Sequence, residues 1–196
     1  MKSSPIGLGL SLAFVAAIGS FGTVSLTAQS TRAAAPAITL SLAGTDYLHR
    51  WSKGGQHEFT PQGQEDLTKW DTMLTLNVHE PVRTGDQLAD AANRLVGNYQ
   101  RAGKILRTDS KPRTDKAEAE HFVAAILISR EFLEAAFARV VLHDGEGLIV
   151  VYSKRVYGAK AGNEMSAWLE KNGPEAERQL LAWTSLPAMT RLKALR

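Results

Sequence analysis

Beyond residue 38, apolar and polar positions alternate mostly with a period of two, and glycine, proline and charged clusters cut the pattern into short strands. Residues 47–51 and 57–60 are aromatic-rich runs on either side of Gly54-Gly55, the pattern of a β-hairpin with a two-residue turn. Pro61, Gln62 and Gly63 break it, residues 73–78 read as the next strand, and Pro81 ends that strand. The period then changes. Thr84 with Gln87 three positions on forms a capping-box pattern, and Leu88, Ala91, Ala92, Leu95, Val96 and Tyr99 fall at helical spacing until Gly103.

Strands resume at 104–108, and a charged stretch containing Pro112 leads into 121–128, a run apolar on both faces. Residues 135–143 and 148–157 are predicted to pair through a turn at 144–147. With His143 opposite Leu148, the residues Phe137, Val141, Leu148, Val150 and Tyr152 share one face. Ala138, Val140, Leu142, Ile149 and Val151 share the other, so both faces require a covering layer. Two helices are expected to follow: one with Met165, Trp168 and Leu169, ended by Asn172-Gly173, and one starting at Pro174 with Leu180, Leu181 and Trp183.

This order predicts an α+β domain: one largely antiparallel β-sheet flanked by helices, in an α/β/α sandwich-like arrangement, with no long βαβ alternation. It occupies 38–186 as a single unit and leaves 187–196, with Arg191, Lys193 and Arg196, as a basic tail that either docks on the domain or hangs free of it. The element order between residues 47 and 183 resembles that of the PsbP-like proteins, without a shared signature motif. That resemblance implies a non-enzymatic exported accessory protein and assigns no functional residue.

The first 37 residues read as a secretory signal with a short linker. Lys2 precedes an uncharged stretch with Leu8, Leu10, Leu12, Phe14, Val15 and Ile18, and Ala35-Pro36-Ala37 offers small residues for cleavage ahead of Ile38. Gly7, Gly9, Ser11, Gly19 and Ser20 make the core poor as a membrane span, so membrane contact is expected only through this segment if it stays uncleaved. The expected location is periplasmic or secreted.

Removing Lys2 and Arg32 leaves 21 basic against 20 acidic residues, a balance of +1, which argues against nucleic-acid binding. The chain has no cysteine, which excludes lipoprotein acylation, thiol catalysis and thiolate metal sites. No cofactor and no metal are expected: His49, His57, His79, His121 and His143 are scattered. A tight turn at Gly54-Gly55 puts His57 on one face with Ser52 and Arg50 and turns His49 to the other, so the two imidazoles are not expected to meet.

No serine lies in a nucleophile elbow, and catalytic residues stay unassigned. The remaining feature is cationic and aromatic. Tyr152, Lys154, Arg155 and Tyr157 close one strand, while Arg107 and Arg113 lie in the cation-rich 104–116 segment. These six are the candidate binding residues for a partner protein or an anionic ligand in the envelope. The function expected is that of an exported binding or accessory protein. The alternatives are an envelope hydrolase or lyase with residues converging only in space, or a carrier of a small apolar ligand.

Overall fold

A computed structural model describes residues 38–195, and the expected signal segment lies outside the described residues. The chain runs β1 (Thr39–Leu42), β2 (Thr45–Lys53), β3 (Gln56–Pro61), β4 (Thr72–His79), α1 (Gly85–Ala102), β5 (Gly103–Lys111), β6 (Glu120–Ile128), β7 (Phe132–His143), β8 (Glu146–Tyr157), α2 (Ala161–Ala182) and α3 (Met189–Lys193). Eight strands form one antiparallel sheet in the order β1-β2-β3-β4-β8-β7-β6-β5. The fold is therefore α+β, with helices on both faces of the sheet as the doubly apolar strands require.

Tight turns set the register. Gly54 and Gly55 both have positive φ, as do Asp144 and Gly145, so each pair supplies the left-handed backbone that a two-residue hairpin turn needs. The turn at Asp144-Gly145 sets His143 opposite Glu146 and Val141 opposite Leu148. This register differs by two positions from the sequence-based expectation. A slip of two preserves the side each residue faces, so Phe137, Val141, Leu148 and Val150 lie in one core layer and Ala138, Val140, Ile149 and Val151 in the other, as expected.

Helix α1 covers the second of these layers, burying Leu88, Ala91, Ala92, Leu95 and Tyr99. The Thr84 hydroxyl accepts from the Gln87 amide, and the Gln87 side chain accepts in return from the Arg83 amide. The other layer lies under α2 and α3, with Met165, Leu180, Trp183, Met189 and Leu192 packed on Phe59, Leu74, Phe137 and Leu148. Each side of the sheet thus has its own apolar filling.

In the C-terminal region one expectation is corrected and one open alternative is decided. Residues 161–182 are one helix with Pro174 inside it, not two helices separated at Asn172-Gly173. The proline costs one backbone bond. Apolar contacts before and after it, from Met165 and Trp168 to Leu180 and Trp183, seat both halves on the same core. The tail does not hang free: Leu192 is 0% exposed and Leu195 is buried. His143 Nε2 lies 3.1 Å from the Pro187 carbonyl, and the Asp144 carboxylate accepts from the Met189 amide at 3.0 Å.

Candidate functional site

The six residues singled out from sequence do not form one surface. Strand alternation sends Tyr152 and Lys154 to the α2–α3 side and Arg155 and Tyr157 to the α1 side. Lys154 pairs with Asp71. Tyr152 packs against the core beside Phe137, and burial pushes its hydroxyl pKa up.

Arg155 is held more tightly than any of the others. Its guanidinium lies 3.9 Å from the ring centres of both Trp70 and Phe132, and its Nε donates to Glu134 at 2.8 Å. Tyr157 brackets the same aromatic pair. Its hydroxyl donates to the Trp70 carbonyl at 2.9 Å, accepts from the Trp70 amide at 3.1 Å, and its ring meets Phe132 edge-on. Glu58 lies near this group, and burial raises its pKa against the opposing pull of the Gln56 hydrogen bond and Arg155. Both flat faces of the guanidinium are thus covered by rings and its Nε is paired with a carboxylate, which is the arrangement of an internal brace.

Arg107 and Arg113 lie at the far end of the sheet. Arg107 bridges Asp109 at 2.8 Å and Glu177 of α2 at 2.7 Å, and Arg113 lies 3.6 Å from Glu118. They belong to a ribbon made by β5, the 112–119 turn and the start of β6, in which every residue from 106 to 118 is exposed. β5 pairs on one side only. The large apolar side chains exposed among the described residues are Leu106 (44%) and Ile128 (63%), on these two strands.

A second arrangement, which sequence reasoning excluded, sits under the β2–β3 hairpin. The β2–β3 register shifts between His49 and Trp51, so Arg50 has no opposite partner. This bulge turns His49 onto the side of Ser52 and His57. Ser52 Oγ lies 2.7 Å from His49 Nε2 and 2.7 Å from His57 Nδ1. Arg50 reaches instead to Thr60, the Pro61 carbonyl and Glu65. The expectation that the two imidazoles point apart is therefore wrong, and one extra residue in β2 is the cause.

This trio opens onto a cleft of about 550 Å³ formed by the hairpin, the end of β4 and the docked tail. Ser52, Lys53 and His57 line one wall, with Val78, Glu80, Pro81, Lys193 and Leu195 around the rest. Lys193 is matched by Glu146 at 2.6 Å and Glu80 at 3.4 Å, and Arg83 completes the group at 2.9 Å from Glu146. His57 is 2% exposed, and its Nε2 has no hydrogen-bond partner. Burial, with the neighbouring His49, lowers its pKa to about 4, so the ring is neutral at neutral pH. His49 is lowered too, again mainly by burial.

Among the described residues no group of three or more histidine and acidic side chains is arranged to hold a metal ion. No described helix is long and apolar enough to cross a membrane. The chain matches no protein-family model and no curated protein.

Proposed function

We propose that this chain is an exported accessory protein that acts by binding, and that its partner docks on the β5–β6 ribbon. The carrying observation is the ribbon itself: thirteen consecutive exposed residues, 106–118, the first six on β5 and the rest in the turn that follows it, beside a strand edge with no neighbour. Exposed edges carry unpaired backbone donors and acceptors, and an extended segment of another protein can complete them. Lys104, Arg107, Lys111, Arg113 and Lys116 exceed Asp109, Asp115, Glu118 and Glu120 by one here, and Lys104 and Lys116 make no ion pair among the described residues, so the complementary segment is acidic. Leu106 adds apolar contact at the same edge.

Catalysis is the weaker reading. The Ser52–His57 pair has the residue types for nucleophilic chemistry, but an imidazole with a pKa of about 4 is a poor base at neutral pH. The resemblance in element order to PsbP-like accessory proteins points the same way as the ribbon, by analogy of fold only.

Photo-crosslinkers placed at Thr108 and Ser110 in the mature protein test the proposal in the native envelope. Capture of a partner through an acidic, extended peptide is expected, together with its loss when Lys111 and Lys116 are replaced by Glu. Equal capture after charge reversal, or from a crosslinker at Ser166 on α2, overturns it. Lys154 and Arg155 are unsuitable for such reversal because each is committed to an internal ion pair.

A further inference from the structure

We propose that the cleft under the β2–β3 hairpin is a binding site for a carboxylate, held by His57 Nε2 and the Lys53 ammonium. This rests on observations independent of the ribbon. His57 is almost completely buried yet leaves one ring nitrogen without a partner, an arrangement that costs about 1–3 kcal/mol unless something satisfies it. The cleft that His57 lines has a volume within the usual range for small-ligand sites.

The chemistry of the lining selects the ligand. Ser52 has one hydroxyl proton for two imidazoles, so it donates to one and accepts from the other. A bound carboxylate selects the arrangement in which Ser52 accepts from His49 and donates to His57 Nδ1, so that the neutral His57 ring carries its hydrogen on Nε2 and presents a donor. Lys193 is already matched by two carboxylates, whereas Lys53 is exposed and makes no ion pair among the described residues. The unbalanced charge at the cleft is thus a single cation next to a neutral donor, which suits a monoanion with two acceptor oxygens. Val78, Pro81 and Leu195 supply apolar contact for the remainder of the molecule.

The hairpin holds these groups in place. Gly55 packs so closely on β4 that a Cβ there would lie 2.9 Å from the Val78 carbonyl oxygen. The Gly55 carbonyl also accepts from the Val78 amide at 2.8 Å. The site is therefore built on paired strands.

Titration at neutral pH with butyrate, benzoate and the dipeptide Gly-Leu, followed through the imidazole nitrogen and carbon-bound proton signals of His57, tests the assignment. The expected result is saturable movement of the Nε2 signal by carboxylates, at least ten-fold weaker binding of butyramide and Gly-Leu amide, and at least ten-fold weaker carboxylate binding by Lys53→Glu. Lys53 is exposed, so that variant keeps its fold. Preference for Gly-Leu over butyrate assigns the site to a chain terminus, and the reverse preference to a free small acid. No saturable response up to about 10 mM, an equal response to the amides, or indifference to Lys53→Glu overturns it.

Discussion

Ser52 Oγ lies 2.7 Å from His57 Nδ1 across the β2–β3 pair, and burial, with His49 beside it, keeps this imidazole neutral. The folded ring titrates at about 4, below the ordinary histidine value of 6.5. Between these values the unfolded chain binds the proton and the folded protein does not, so folding stability falls as the pH is lowered through that window. Below about pH 4 both states are protonated and the penalty levels off at about 3 kcal/mol. Urea unfolding of the wild type and His57→Gln at a series of pH values checks this. The variant should lose part of the slope between pH 6.5 and 4, the remainder coming from His49, His79 and His121, which burial also lowers, and an unchanged slope would place the acid sensitivity elsewhere.

The Arg155 brace gives a prediction of a different kind. Replacing Arg155 with Met keeps much of the packing between Trp70 and Phe132 but leaves Glu134 buried without its partner. Breaking a largely buried pair from one side should cost about 3 kcal/mol. The double variant Arg155→Met with Glu134→Gln removes the stranded charge and should recover more than half of that loss. Arg155→Lys keeps the charge and loses the flat stacking surface, so it should fall between wild type and Arg155→Met. A thermodynamic cycle of wild type, Arg155→Met, Glu134→Gln and the double variant, taken from denaturant midpoints, reads the coupling, and additive losses would show that the ion pair is not coupled.

The sequence carried the layers of the sheet well because alternation is tolerant. Phe137 and Val150 belong to one core layer whether His143 faces Leu148 or, as found, Glu146, since the difference is two positions. The same rule explains the failure at His49. A bulge inserts one residue, one residue reverses the side, and nothing in the composition of 49–52 marks where the insertion falls. Pro174 misled for a related reason: its local preference for a helix start was overridden by core contacts on both sides of it. The cleft also draws on Lys193 and Leu195, distant in sequence from the hairpin, and was beyond reach of any local pattern.

Gly103 ends α1 and begins β5 for a steric reason that its position only partly reveals. Its φ of 174° is ordinary extended backbone, yet a Cβ there would meet the Ile126 carbonyl oxygen at 1.9 Å. Gly103→Ala must therefore push β5 away from β6 at the point where the helix hands over to the strand. The expected cost is about 1–3 kcal/mol, with faster amide exchange along β5 than along β7. Since β5 is the strand assigned to the partner, the same variant should weaken crosslinking at Thr108 while leaving the imidazole signal of His57 unmoved.

Removing the C-terminal segment should couple stability to the cleft. Met189, Leu192 and Leu195 are buried in the core under α2, and Lys193 bridges Glu80 and Glu146. Leu192→Ala should cost about 3 kcal/mol through lost burial and the cavity left behind. Truncation after Ala188 should cost more, because it also strands Glu146 beside Arg83 alone and removes one wall of the cleft. Lys193→Met separates the two effects: it keeps the chain docked through Leu192 while removing the ion pairs, so it should lower the thermal midpoint less than Leu192→Ala. If the truncated protein matched the wild type in thermal melting and in the His57 signals, the docked tail would be dispensable for both the core and the cleft.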